Sequence, residues 1–330
     1  MNGVRRVIAR VDLFIVALLG AVLLASLLPA RGATADALEY AVVIAVGWLF
    51  FLYGVRLPTQ EAVNALRDWR LHGSVLAVTF VVFPLLGLLT QLLPTALIPS
   101  DLADGLLFMC LLPSTVQSSI AFTSIARGNV AGSVVAASFS NLAGIVITPL
   151  LVALLLGGTV GFSTDSIGKI GLQLLAPFVA GQLVRRWLAP WVLRHKRLTT
   201  FTDRGSVILV VYSAFSQGVV DGIWTTVSVS AIIAVTVVCV VVLASVLGIT
   251  TSLGHRLGFS RGDRVVLLMC GSKKSLASGI PMATVLLPAA SIGVMVLPLM
   301  IFHQIQLIVC AVIARRMGDA AEDELASTRT

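Results

Sequence analysis

Val265-Val266-Leu267-Leu268-Met269-Cys270-Gly271-Ser272-Lys273-Lys274-Ser275 sets two adjacent lysines in an apolar run, and Ile280-Pro281-Met282-Ala283-Thr284-Val285-Leu286-Leu287 resumes it. A cation at bilayer depth costs about 2.5–3.5 kcal/mol on insertion scales and more by other measures. Either the segment is not a membrane span or the lysines have work to do inside one. The rest of the chain decides.

Of 330 residues, 58% are hydrophobic and 12% charged, and the mean hydropathy is +1.01. Soluble domains carry about 25% charged residues, so this is the composition of an all-α polytopic membrane protein. A span needs about 20 apolar residues. Such runs lie at 12–30, 37–56, 74–94, 104–125, 129–157, 167–189, 205–223, 227–250, 264–287 and 291–314, which predicts ten transmembrane helices. The first run follows Arg5, Arg6 and Arg10 and precedes Pro29-Ala30-Arg31-Gly32-Ala33, a pattern shared with signal peptides. Its apolar stretch exceeds the usual ~7–15 residues, so a retained first span is expected.

Basic residues check the count. With a cytoplasmic N-terminus, nineteen of the 23 lysines and arginines fall in cytoplasmic loops or termini. Arg31 and Lys169 fall outside, and Lys273 and Lys274 lie within the ninth span. This asymmetry is the topology signal of a membrane protein with both termini inside, expected in a bacterial inner (plasma) membrane. It also accounts for the net charge of +8 without nucleic acid, for which no basic domain remains. Cys110, Cys239, Cys270 and Cys310 stand singly in apolar runs. They suggest packing residues rather than a metal set or disulfides.

Ten spans divide into two sets of five that run in opposite senses, an inverted repeat. The expected organisation is 1–157 as the first repeat, 158–316 as the second and 317–330 as a cytoplasmic tail. The fourth span carries Pro113-Ser114-Thr115-Val116-Gln117-Ser118-Ser119 near its middle, and the ninth carries Gly271-Ser272-Lys273-Lys274-Ser275. Paired interruptions at matched positions point to a transport site. Pro113 breaks a helix by removing an amide donor, and Gly271 opens the second interruption. Ser114, Thr115, Gln117, Ser118 and Ser119 offer oxygens, with Ser138, Ser140 and Asn141 following in the fifth span. Each hydroxyl has a plainer reading as a helix-packing contact. Lys273 and Lys274 stand ~100° apart on a helix, so both reach one point only if the helix unwinds there. His303, Gln304 and Gln306 form a polar patch in the tenth span.

The run Pro113 to Ala131, with Ala126-Arg127-Gly128-Asn129-Val130-Ala131 at its end, resembles the bile acid:sodium symporter family. Asn141 to Thr148-Pro149-Leu150, Gly271 to Gly279, and His303-Gln304-Ile305-Gln306-Leu307 resemble its SBF-like branch. The resemblance implies a panel domain and a core domain, with two broken helices crossing in the core beside two sodium sites and an organic-anion cavity between the domains. It implies a first sodium site of Ser118, Ser119 and Ser133. The sequence departs from the family pattern elsewhere. Ala137, beside Ser138, takes the place of a second hydroxyl, and Met269 that of a shared glutamate. Thr79 takes the place of a glutamine ahead of Pro84, and Lys273 and Lys274 those of a glutamine and an asparagine. Ammonium groups without a carboxylate disfavour a bound sodium ion. A lysine then either takes a cation's place or releases a proton and couples transport to protons.

The expected function is secondary transport of a small organic anion across the lipid bilayer, with alternating access and no cofactor other than sodium, if that. A non-transporting regulator or scaffold on the same fold is the alternative. A Ser-Lys dyad of Ser275 and Lys274 would make an enzyme, but neighbouring residues on a helix do not face each other.

Overall fold

A computed structural model describes residues 13–56, 68–157, 171–220, 222 and 227–327. Arg5, Arg6, Arg10, Asp12, Arg67, Lys169, Asp221 and Arg329 lie outside them. Among the described residues there is no strand. The helices are α1 Leu13–Leu27, α2 Ala33–Arg56, α3 Trp69–Ala77, α4 Phe83–Thr90, α5 Ser100–Leu111, α6 Gln117–Ile125 and α7 Val130–Leu155. They continue with α8 Ala176–Arg194, α9 Lys196–Val220, α10 Val229–Arg256, α11 Arg261–Gly271, α12 Leu276–Leu286, α13 Ile292–Met295 and α14 Leu297–Ser327. A π-helical turn, Val78–Val82, joins α3 to α4.

Among the described residues, five helical stretches are long and apolar enough to cross a membrane: Ala33–Arg56, Trp69–Thr90, Val130–Leu155, Val229–Arg256 and Ala289–Glu322. The expected fourth and ninth spans fall short of that length because each is cut in two. The chain leaves α5 at Leu112 and re-enters helix at Gln117, and it leaves α11 at Ser272 and re-enters at Leu276. Two other helices outrun their apolar stretches. The run expected at 205–223 belongs to a helix that starts at Lys196, and residues 317–327, expected as a tail, continue α14. Packing explains that continuation. A Cβ on Gly318 would stand 2.4 Å from the Ile125 carbonyl, Ala321 is buried, and Glu322 pairs with Arg127.

The chain folds as two compact units. The first comprises Met1–Arg56, Asp165–Thr226 and Ile280–Gly293. In it α2 and α8 approach backbone to backbone: a Cβ on Gly54 would lie 2.1 Å from the Phe178 carbonyl, and one on Gly181 2.2 Å from that of Phe51. Small residues permit such contact between apolar helices. Gln182 Nε2 donates to the Gly54 carbonyl at 2.8 Å, and Leu52, Val55, Ala189 and Val192 fill the seam.

The second unit comprises Leu57–Thr164, Val227–Gly279 and Val294–Thr330, and so contains both breaks. Its helix ends are fastened by polar side chains. Asn129 caps α7 by accepting from the Gly132 amide at 2.8 Å and donates to Asp263 Oδ1 at 2.8 Å. Arg261 donates to the carbonyls of Arg127 and Met317 at 3.1 and 2.6 Å. Beneath these caps Ala126, Val265, Leu268, Met269, Cys310 and Ala314 form a buried cluster. The α6 and α11 halves of the two broken helices thus share one apolar cluster with α14.

Candidate functional site

Each break is built by residues that cannot carry the helix on. Pro113 lacks an amide hydrogen, and α5 ends with Leu112 extended at φ −78°, ψ 156°. Gly144 on α7 makes room for the turn, since a Cβ there would meet the Pro113 ring at 2.6 Å. At the second break Ser272 closes α11, its Oγ donating to the Leu268 carbonyl at 2.5 Å. Gly271 is the last residue of α11. It is not among the glycines with positive φ, so it serves by size: a Cβ would stand 3.3 Å from Thr250.

The two breaks cross. The Ser275 amide donates to the Pro113 carbonyl at 2.9 Å, and Ser114 Oγ donates to the Cys270 carbonyl at 2.5 Å. Ser119 Oγ reaches the Met269 carbonyl at 3.0 Å, while the Ser114 amide donates to Ser140 Oγ at 3.2 Å. Helix-terminal groups with no intrahelical partner must find one elsewhere when water is excluded. Here each break supplies the other.

Lys274 and Lys273 are both fully buried, and the unwound backbone lets both turn inward. Lys274 Nζ donates to the carbonyls of Thr79, Cys110 and Leu112 at 2.9, 2.8 and 2.6 Å, and lies 4.0 Å from the Phe83 ring centre. An ammonium has three N–H donors, so the set is complete. The sequence explains why these carbonyls are available. Cys110 and Leu112 flank the end of α5, where carbonyls have no helical partner. In the π-turn Phe83 donates to Val78, five residues back. The matching partner for Thr79 is Pro84, which has no N–H. Pro84 therefore frees the carbonyl that Lys274 takes up.

Lys273 is held more lightly. Its Nζ donates to the Ser118 carbonyl at 3.0 Å and lies 4.0 Å from the Phe122 ring centre. That geometry suits a cation–π contact.

Gln306 on α14 fixes the unwound peptide. Its Oε1 accepts from the Lys274 amide at 2.9 Å and its Nε2 donates to the Lys274 carbonyl at 2.8 Å. Because the amide can pair only with Oε1, the Gln306 orientation is determined. Nε2 also donates to His303 Nδ1 at 2.9 Å, which puts the imidazole proton on Nε2.

The structure thus brings Pro113, Ser114, Ser119, Lys273, Lys274, Ser275 and His303 together with Ser118 through its carbonyl. Ser118 Oγ pairs with Thr115 Oγ1 at 2.5 Å, and Ser133 Oγ accepts from Thr123 at 3.1 Å and meets Cys270 Sγ at 3.3 Å. Among the described residues, the hydrogen bonds of the crossing do not include Gln117, which is exposed, or Ser138, Asn141 and Gln304. Of the paired candidates, Ser140 and Gln306 bond at the crossing, and their neighbours Asn141 and Gln304 do not. The Ser-Lys dyad does not form: Lys274 Nζ is committed to carbonyls, and Ser275 Oγ accepts from the Ser278 amide at 3.2 Å. Thr79 was marked only as the place of a glutamine ahead of Pro84, and its carbonyl, like those of Cys110 and Leu112, was missed as a partner of Lys274 because it is a main-chain atom.

Comparison with known proteins finds relatives that match over nearly the whole chain. Protein PA2026 of Pseudomonas aeruginosa is 52% identical over 318 residues, spanning 96% of each chain. YfeH of Escherichia coli K12 is 48% identical over 306 residues, 92% of each. Sodium/bile acid cotransporter 7 of Xenopus tropicalis is 29% identical over 311 residues, 92% of this chain and 91% of its own. The sequence profile of the SBF-like CPA transporter family matches residues 12–319. The protein is an integral membrane protein, and it belongs to the SBF-like CPA transporter family, a family of transporters rather than enzymes.

Proposed function

We propose that the protein is a secondary active transporter of a small amphipathic organic anion. It works by alternating access, with the unit that carries the crossing as core and the other unit as panel. One observation carries this reading: two helix breaks cross inside one unit with two buried ammonium groups at the crossing. Broken helices at mid-membrane present dipole ends and free backbone groups where a substrate can be handled.

The helices pair off as ten crossings, with α5–α6 and α11–α12 as the broken fourth and ninth, and with 1–157 and 158–316 as inverted repeats. Both termini lie in the cytoplasm of a bacterial inner membrane, as the arginine distribution supports. The cotransporters named for bile acids make a bile acid the first substrate to try.

Sodium does not fit the oxygens that the resemblance assigned to it. Ser119 and Ser133 hydroxyls are engaged within the protein, and the Lys273 ammonium holds the Ser118 carbonyl. No Asp or Glu occurs between Asp104 and Asp165 or between Asp263 and Asp319, which leaves both broken segments without a carboxylate. A second cation 4 Å from an ammonium meets about 4 kcal/mol of repulsion at an effective dielectric of ~20. In this reading the lysines take the place of coupling cations. A proton-coupled step falls to Lys273, which holds one carbonyl, and not to Lys274, whose three N–H bonds are all in use.

A second reading, a non-transporting regulator or scaffold, draws on the same pairing of lysines with carbonyls, since a crossing so satisfied is also a stable static core. Reconstitution separates the two. Proteoliposomes of the wild-type protein are expected to accumulate a bile acid in sodium-free buffer under a proton gradient, and Lys273→Ala is expected to lose the response to that gradient. A wild-type protein that moves no organic anion under any ion gradient would sustain the scaffold instead.

A further inference from the structure

We infer that the carbonyls of Thr79, Cys110 and Leu112 form a monovalent-cation site that the protein fills with its own Lys274 ammonium. The site is matched to an ion of ammonium size rather than to sodium. Three main-chain oxygens from two separate elements, the π-turn and the end of α5, converge on one point at 2.6–2.9 Å. The Phe83 ring closes the fourth side at 4.0 Å. None of the three oxygens comes from α11, α12 or the unwound segment between them that carries Lys274.

Backbone carbonyls gathered at a point, replacing a hydration shell, are the chemistry by which channels hold a large alkali cation. The distances here suit N–H···O bonds, so an ion replacing Nζ would have the radius of ammonium or potassium. Sodium needs shorter contacts, which the three oxygens could supply only by moving inward. Gln306 grips the Lys274 peptide from both sides, at 2.9 and 2.8 Å, and so fixes the stem independently of the ammonium. Shortening the side chain therefore vacates the cradle while leaving the break in place.

This inference does not depend on the substrate, because its readout is stability rather than transport. The full-length protein is purified in detergent as wild type, Lys274→Ala and Lys274→Met. Thermal unfolding midpoints are then measured in choline, methylammonium, ammonium, potassium, sodium and lithium chlorides at one ionic strength. The wild-type midpoint is expected to be indifferent to the cation. Lys274→Ala is expected to lose stability and to regain most of it saturably, in the order methylammonium, then ammonium and potassium, then sodium. Lys274→Met, which refills the volume without charge, is expected to gain nothing.

Three results would overturn the inference: no cation outperforms choline on Lys274→Ala, sodium outperforms ammonium, or all three proteins respond alike. The yield of folded Lys274→Ala extracted with and without methylammonium gives a second readout. Recovery only in methylammonium supports the cradle, and loss in every salt refutes it.

Discussion

At Leu112–Val116 the chain leaves α5 through a proline and turns out carbonyls, while at Ser272–Ser275 it leaves α11 through two lysines and delivers N–H donors. The first break is neutral; the second is cationic, with its peptide gripped by Gln306. Each would be costly alone, because a buried polar group without a partner costs ~1–3 kcal/mol. Together they satisfy each other. The two halves of the crossing are thus complementary in chemistry as well as in position, and damage to the lysine side should exceed damage to the Pro113–Ser119 side.

Lys274→Met is expected to produce the largest effect. It strands three carbonyls, with an expected loss of about 3–5 kcal/mol at ~1–3 kcal/mol per orphaned group, allowing for partial relaxation. Denaturation of the purified protein measures it. Gln306→Leu comes next, leaving one amide and one carbonyl of the Lys274 peptide without partners. A loss of about 2–3 kcal/mol follows, with Gln306→Glu restoring the amide bond alone.

Lys273→Met removes one carbonyl partner and one ring contact, and about 1–2 kcal/mol is expected. A Lys273 loss equal to that of Lys274 would erase the distinction between the two lysines. On the Pro113–Ser119 side, Ser119→Ala deletes the bond that Ser119 Oγ donates to the Met269 carbonyl and its contact with Thr115 Oγ1, and about 1 kcal/mol is expected from the same measurement. A Ser119 loss larger than the Gln306 loss would reverse the comparison.

Much of this could be read from the chain, and the exceptions have physical causes. Lys273, Lys274 and Pro113 stood out because charge and a missing amide are side-chain properties set against apolar sequence. The partners of Lys274 did not, since Thr79, Cys110 and Leu112 contribute main-chain oxygens that any residue possesses. Pro84 freed one of them, yet a proline in a span reads first as a kink. Periodicity places residues on a helix relative to one another and leaves the helix's rotation undetermined. That is why Gln304 and Gln306, like Ser140 and Asn141, stood as equal candidates, of which Gln306 and Ser140 bond at the crossing. Hydropathy marks the apolar part of a helix rather than its ends, so Lys196–Arg204 and residues 317–327 extended helices whose apolar runs were already visible.

The role proposed for the two lysines is to stand where a coupling cation would otherwise be needed. Its most direct test is initial bile acid uptake into proteoliposomes of the wild-type protein, with sodium replaced by choline on both sides at fixed pH and potential. Uptake that is unchanged by the replacement is the predicted result. Uptake that rises saturably with sodium would contradict it.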